Sequence, residues 1–267
     1  MSSVGGVDLG LTERAAIVTG ASRGIGRAVA LGLAAEGCRV LLVGRDRAAL
    51  EAVAGEAEAA TTAIHGADVG DPATTDGIVS ACTDAFGRLD ILVNNAGGAA
   101  TKPLDQLTAQ DWQDGLDVNF LAAARLSVAC APVMRAAGWG RMVHVASISG
   151  REPDPLFAPY SAAKAALLNL STSLSQAFAS DGVLSTCVIP GITLTELVEA
   201  NASAAAERTN RSTAEVMERM LAKHRVPAGR FGTPEEVAAA VVFLASEQAS
   251  WISGATLEVD GGTLRAT

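Results

Sequence analysis

A single tyrosine, Tyr160, stands in this chain of 267 residues, and aromatic residues supply only 4% of it. Basic residues are also short: 20 Lys and Arg face 29 Asp and Glu, a formal charge of -9 with a pI near 4.9. Phosphate backbones are held by clustered Lys and Arg, so this balance argues against a nucleic-acid partner. The four cysteines, Cys38, Cys82, Cys130 and Cys187, show no C-x-x-C pair and no histidine at ligand spacing. That excludes a disulfide framework and a zinc site, predicts no metal, and leaves core thiols in a reducing compartment. Long apolar runs are missing too. The longest, "VAAAVVFLA" from Val237 to Ala245, is far shorter than the roughly 18 residues a membrane span requires. The start, "MSSVGGVDLGLTER", lacks a basic region followed by an apolar stretch. A soluble cytoplasmic protein with no membrane partner is therefore expected.

What is present is a core. With 49% hydrophobic and 18% charged residues, the chain is long enough for one large α/β domain. Short apolar runs ("AAIV", "VLLV", "AIHGADV", "DILVN", "RMVHVA", "LSTCVI", "TLEV") alternate with helical patterns from end to end. Such alternation predicts a parallel sheet with helices on both faces. Thr233-Pro234-Glu235-Glu236 reads as an N-cap, a first-turn proline and a capping-box glutamate, and Asp71-Pro72 is a similar start. No linker or repeat divides the chain, so residues 1–267 are expected to form one domain, with a loose tail over 1–10. Residues 194–230 break the rhythm as a long irregular stretch. A lid over a site is the expected role.

Directly after the first strand comes "TGASRGIGRAVA", with Gly20, Gly24 and Gly26 leading into a helix. Glycines there permit a tight turn and let backbone N–H groups approach a pyrophosphate at the positive end of the helix. The spacing is G-x-x-x-G-x-G rather than G-x-G-x-x-G. At the end of the second strand, where an acidic residue would bind the ribose 2′-hydroxyl of NAD, stand Gly44 and Arg45. Arg45 and Arg23 suit a 2′-phosphate, while Asp46 falls where the next helix needs an N-cap. NADP(H) is favoured over NAD(H).

Taken with "NNAG" (Asn94 to Gly97), Asn119, Ser147 and the Tyr160-x-x-x-Lys164 pair in order, the glycine turn resembles that of the short-chain dehydrogenase/reductase family, in its 3-oxoacyl-acyl-carrier-protein reductase-like branch. The resemblance runs from about Leu11 to Gly262. It implies a single-domain Rossmann-type doubly wound α/β fold with a seven-stranded parallel sheet, and a catalytic tetrad of Asn119, Ser147, Tyr160 and Lys164. It further implies cofactor contacts at Gly20, Ser22, Arg23, Gly24, Ile25 and Gly26 in the turn and at Arg45, Asp68 and Val69 around the adenosine. Asn95, Ala96 and Gly97, Tyr160 and Lys164, and Pro190, Gly191, Ile192 and Thr193 complete that set. His144 and Ala146 depart slightly from the family pattern, and His144, mid-strand, reads as a satisfied core imidazole.

A phenol's ordinary pKa near 10 is high for proton transfer at neutral pH, and a lysine one helical turn away is expected to lower it. Tyr160 is then the acid or base, and Ser147 hydrogen-bonds the same substrate oxygen. By resemblance, Lys164 also binds the nicotinamide ribose, and the main chain of Asn119 holds a proton-relaying water. Ser149 is the rival serine, which the thirteen-residue spacing to Tyr160 disfavours. The lid candidate balances five Glu (196, 199, 207, 215, 218) against five Lys or Arg (208, 211, 219, 223, 225), and the helix after Tyr160 ends in "SLSQAFASDG" without Lys or Arg. A small ketone, aldehyde or secondary alcohol is therefore expected, with an acyl thioester second. NAD-linked alcohol oxidation and a non-enzymatic cofactor-binding regulator stay as rivals. The small-residue helix "SAAKAALLNLSTSLSQAFA" suggests, by resemblance, a homotetramer or homodimer.

Overall fold

Every residue of Ala15–Thr19 (β1) is apolar or a threonine, and every one is buried, as a central strand covered on both faces requires. In the computed structural model, which describes residues 7–57 and 61–265, six further strands join it. They are Arg39–Gly44 (β2), Thr62–Gly66 (β3), Ile91–Asn94 (β4), Gly140–Val145 (β5), Val183–Pro190 (β6) and Thr256–Val259 (β7). Their order is β3-β2-β1-β4-β5-β6-β7, and all pairs are parallel. The strand order reverses between β1 and β4. That reversal opens a crevice at the carboxyl ends of the strands, where doubly wound sheets bind ligands.

Alternate residues of each strand face opposite helical layers. Ala16, Val18, Val40 and Leu42 face Gly24–Ala35 (α1), Arg47–Glu56 (α2) and Pro234–Leu244 (α9), meeting Val29, Leu33, Leu50 and Val241. Ile17, Leu41, Leu92 and Met142 face Thr75–Phe86 (α3), Ala122–Ala136 (α5) and Ala158–Phe178 (α6), meeting Ile78, Leu126, Met134 and Leu174. Helix starts follow local chemistry. Asp46 accepts from the Ala49 N–H at 3.1 Å, Asp71 from Ala73 at 2.9 Å, and Thr233 and Glu236 form the reciprocal capping box.

Ala109–Leu116 (α4) runs through a π-helical turn, Asp117–Leu121, into α5. The combined stretch Ala109–Ala136 is long and apolar enough in composition to cross a membrane, yet it spends Leu126, Cys130 and Met134 on the sheet. All four cysteines are buried free thiols.

Two stretches differ from the sequence-based expectation. Residues 1–6 of the expected loose tail lie outside the described residues, but Asp8 to Gly10 are docked: the Leu9 carbonyl accepts from Glu247 N–H at 2.9 Å and the Asp8 carbonyl from Gln248 at 2.7 Å. Residues 194–230, expected to be irregular, fold mainly into Glu196–Thr209 (α7) and Thr213–His224 (α8), each capped by a hydroxyl, from Thr195 and Ser212. The low aliphatic content of this segment hid its helicity.

Candidate active site

The carboxyl ends of β1 to β6 surround a cavity of about 840 Å³. Gly20 and Gly24 take positive φ (66° and 55°), and a Cβ on Gly20 would stand 2.9 Å from the Ala96 Cα, so the turn needs glycine there. α1 then begins from an extended Arg23 that gives no side-chain cap, and its first residues, Gly24, Ile25 and Gly26, line the cavity. The Asn95 side chain braces this turn from β4, donating to the carbonyls of Thr19 (2.9 Å) and Gly20 (3.2 Å). Every residue expected at the cofactor lines this one cavity, as do Ser147, Tyr160 and Lys164.

Asn119 does not line it. Only 1% exposed in the π-turn, its amide donates to the Gly98 and Gly115 carbonyls, both at 2.9 Å, and accepts from the Gly98 N–H at 3.0 Å. The side chain therefore fixes the loop after β4 to the α4–α5 helix. A Cβ on Gly97 would come 2.6 Å from the Asn119 Oδ1, which ties that glycine to this asparagine.

Ser147 follows β5, half-buried, and hydrogen-bonds the Tyr160 phenol. Its Oγ also accepts from the Ser149 N–H at 3.1 Å, so Ser149 supports Ser147 through its backbone. Lys164 is buried beneath them and donates to the Val145 carbonyl at 2.8 Å. Burial pushes its ammonium down to about 8.

The Tyr160 phenol stands above its ordinary value, not below it as the spacing to Lys164 predicts. The Lys164 Nζ is 5.6 Å from the Tyr160 ring centroid and turned toward Val145, and burial holds the phenol above its ordinary value, opposed only by the Ser147 hydrogen bond. Helical spacing brought the two residues to one face. It could not reveal that burial would raise the phenol, or that the ammonium would donate to a main-chain carbonyl.

His144 is fully buried, with Nδ1 3.1 Å from the Asn94 amide nitrogen and Nε2 3.2 Å from the Ser185 hydroxyl. Burial, then the Lys164 charge, pushes it down to about 3, so it is neutral and structural. At the other end of the cavity, Arg45 and Asp68 form an exposed ion pair of 3.8 Å. Asp46 is turned into its helix as a cap. Arg125 on α5 donates to the Val69 and Gly70 carbonyls, both at 3.0 Å, and so holds the loop after β3.

The family model for short chain dehydrogenase matches residues 14–206. The chain belongs to the short-chain dehydrogenase family. It is 36% identical over 247 residues to the 3-oxoacyl-[acyl-carrier-protein] reductase FabG of Escherichia coli, covering 92% of this chain and 96% of that one. Among solved structures, the L-sorbose reductase of Gluconobacter frateurii, complexed with NADPH and L-sorbose, superimposes with a TM-score of 0.94. The two are 32% identical, and the match covers 98% of this chain and 100% of that one. YwfH, an NADPH dependent reductase involved in bacilysin biosynthesis, gives 0.88 at 28% identity, covering 95% and 99%.

The reading from sequence missed Thr195, Glu196, Leu197, Met220 and His224, which close the cavity from α7 and α8. Their only signal was their place in the long stretch after "PGI".

Proposed function

We propose that this short-chain dehydrogenase is an NADPH-dependent reductase of a small ketone, with the reverse oxidation of a secondary alcohol, and that Ser147, Tyr160 and Lys164 carry the proton chemistry while Asn119 positions the loop beside them. The observation that carries this reading is the convergence of Ser147, Tyr160 and Lys164 on a cavity whose far end holds Arg23 and Arg45. That cavity, about 840 Å³, has the size of a cofactor site, and the start of α1, which its own N-cap residue leaves without a side-chain bond, suits a pyrophosphate. When bound, the nicotinamide supplies or accepts the hydride.

The chain's own residues do the rest. The neutral Tyr160 phenol gives its proton to the strongly basic oxygen that develops from the carbonyl, and Ser147 donates a hydrogen bond to that oxygen. A raised phenol pKa is no obstacle in this direction, because the developing alkoxide is the stronger base. Lys164, poised at about 8, keeps a proton exchangeable near neutrality. Arg45, steadied by Asp68, meets the 2′-phosphate. α7 and α8 serve as the lid. Assembly as a homotetramer accords with the exposed apolar Trp112 and Val128 on α4 and α5 and with the small residues on the outer face of α6, and light scattering tests it.

The deciding experiment is a fluorescence titration with NADPH and NADH on the wild type and Arg45→Asp. NADPH should bind at least about tenfold more tightly than NADH, and the variant should lose most of that margin. Equal losses for both cofactors would count against the assignment. The second reading, reduction of a 3-oxoacyl thioester, draws on the likeness to FabG. Turnover of an acetoacetyl thioester well above that of free ketoses would favour it.

A further inference from the structure

Glu196, the first residue of α7, sets one carboxylate oxygen 3.1 Å from the main-chain N–H of Gly24. Two segments 172 residues apart meet there. One is the uncapped start of α1; the other is the base of the lid, whose Thr195 methyl lies 3.2 Å from where a Gly24 Cβ would be. Thr195 already caps α7 by accepting from the Val198 N–H, so α7 does not require this contact. Among the described residues no Lys or Arg forms an ion pair with Glu196. Besides lying in the first turn of its own helix, its carboxylate is held at the positive end of α1 by the Gly24 N–H. That is the interaction a phosphate oxygen makes at a helix start.

We infer that Glu196 is an internal stand-in for the cofactor pyrophosphate, a residue that sets dinucleotide affinity by competing for the start of α1. The inference rests on the dinucleotide reading above. A pyrophosphate entering the glycine turn either displaces the carboxylate or meets it as a like charge at close range, and both weaken binding. The same contact joins the lid to the glycine turn, so entry of the ligand loosens the base of α7. The far end of the lid keeps its own tether, Lys223 to Asp154 at 2.7 Å. Cofactor entry is thereby coupled to lid position at one end only.

The test compares wild type, Glu196→Gln, Glu196→Ala and Glu199→Gln by calorimetric titration with NADPH and with adenosine 2′-phosphate, which has no pyrophosphate. Glu199 shares the first turn of α7, so its variant removes a similar helix-end charge away from Gly24. Both Glu196 variants should bind NADPH about three- to tenfold more tightly, with the gain shrinking at high salt. Adenosine 2′-phosphate, and NADPH on Glu199→Gln, should stay near wild type. Unchanged or weaker NADPH binding in the Glu196 variants overturns the inference, as does an equal gain with adenosine 2′-phosphate or in Glu199→Gln. A wild type that binds neither probe overturns the dinucleotide reading and this inference with it; a wild type that binds NADPH without a Glu196 effect overturns this inference alone.

Discussion

The two ends of the parallel sheet are built to opposite specifications. At the amino ends of the strands, Asp90 is buried and fully engaged: it accepts from the Ala15 N–H at 2.8 Å and pairs with Arg14 at 3.2 Å and Arg88 at 2.7 Å. Arg14 and Arg141 stack on the Trp139 ring, at 3.7 and 4.3 Å, and Glu247 meets Arg14 at 2.7 Å. At the carboxyl ends, glycines hold a cavity open, a lysine ammonium is buried with no carboxylate partner among the described residues, and burial raises a phenol above its ordinary value. One end is closed largely by paired charges; the other gathers glycines, a buried ammonium and a buried phenol around a cavity. Stability and reactivity are thus assigned to different ends of the same strands.

The largest test of that division is Tyr160→Phe. Turnover should fall about 10³-fold, with NADPH affinity and the urea midpoint close to wild type, as measured by steady-state kinetics, titration and equilibrium unfolding. A stability loss as great as that of an amino-end variant would break the division. At the amino end, Asp90→Ala removes a carboxylate shared by Arg14 and Arg88 and strands the buried Ala15 N–H, and should lower unfolding stability by about 2 kcal/mol while leaving NADPH affinity nearly unchanged. Equilibrium unfolding in urea, read beside a cofactor titration, checks both halves of this statement.

Lys164 sharpens the comparison through pH. Its folded value, about 8, lies below the ordinary 10.5, so between those values the unfolded chain keeps a proton that the native chain has released. The stability contributed by this group is lowest below pH 8 and rises as pH climbs toward 10.5. Lys164→Met should therefore be inactive yet more stable than wild type at pH 7, on the order of 2 kcal/mol, with the gap closing by pH 10. A gap that does not change with pH would assign the difference to packing. The smallest effect is expected from Asp46→Ala, which removes the α2 cap for about 1 kcal/mol and should leave the preference for NADPH in place. A marked shift in cofactor preference would show that Asp46 reads the ribose.

Much of this was legible in the chain because it is governed by neighbours in sequence. Asp46, Asp71 and Thr233 cap where their spacing to the next turn predicted, since a cap bonds an N–H two or three residues on. His144 was readable as a core imidazole from its place mid-strand, although its partners Asn94 and Ser185 come from neighbouring strands. The helicity of residues 194–230 was less legible, because α8 has no buried residues and α7 buries only Ala202 and Ala206. A helix that lies over a cavity need not carry a strong apolar stripe.

By itself, then, the sequence determined the alternation of strands and helices, the glycine turn that only residues without a Cβ can make, and the placing of Tyr160 and Lys164 on one helical face. These follow from periodicity and local sterics, which act over a few residues. Tertiary structure alone decided that the Lys164 ammonium faces the Val145 carbonyl, that Asn119 fastens a loop rather than lining the cavity, and that Glu196 lies against Gly24. Each of those outcomes depends on which backbone groups remain unpaired once distant segments are packed, and a buried charge or N–H takes the partner that packing brings to it.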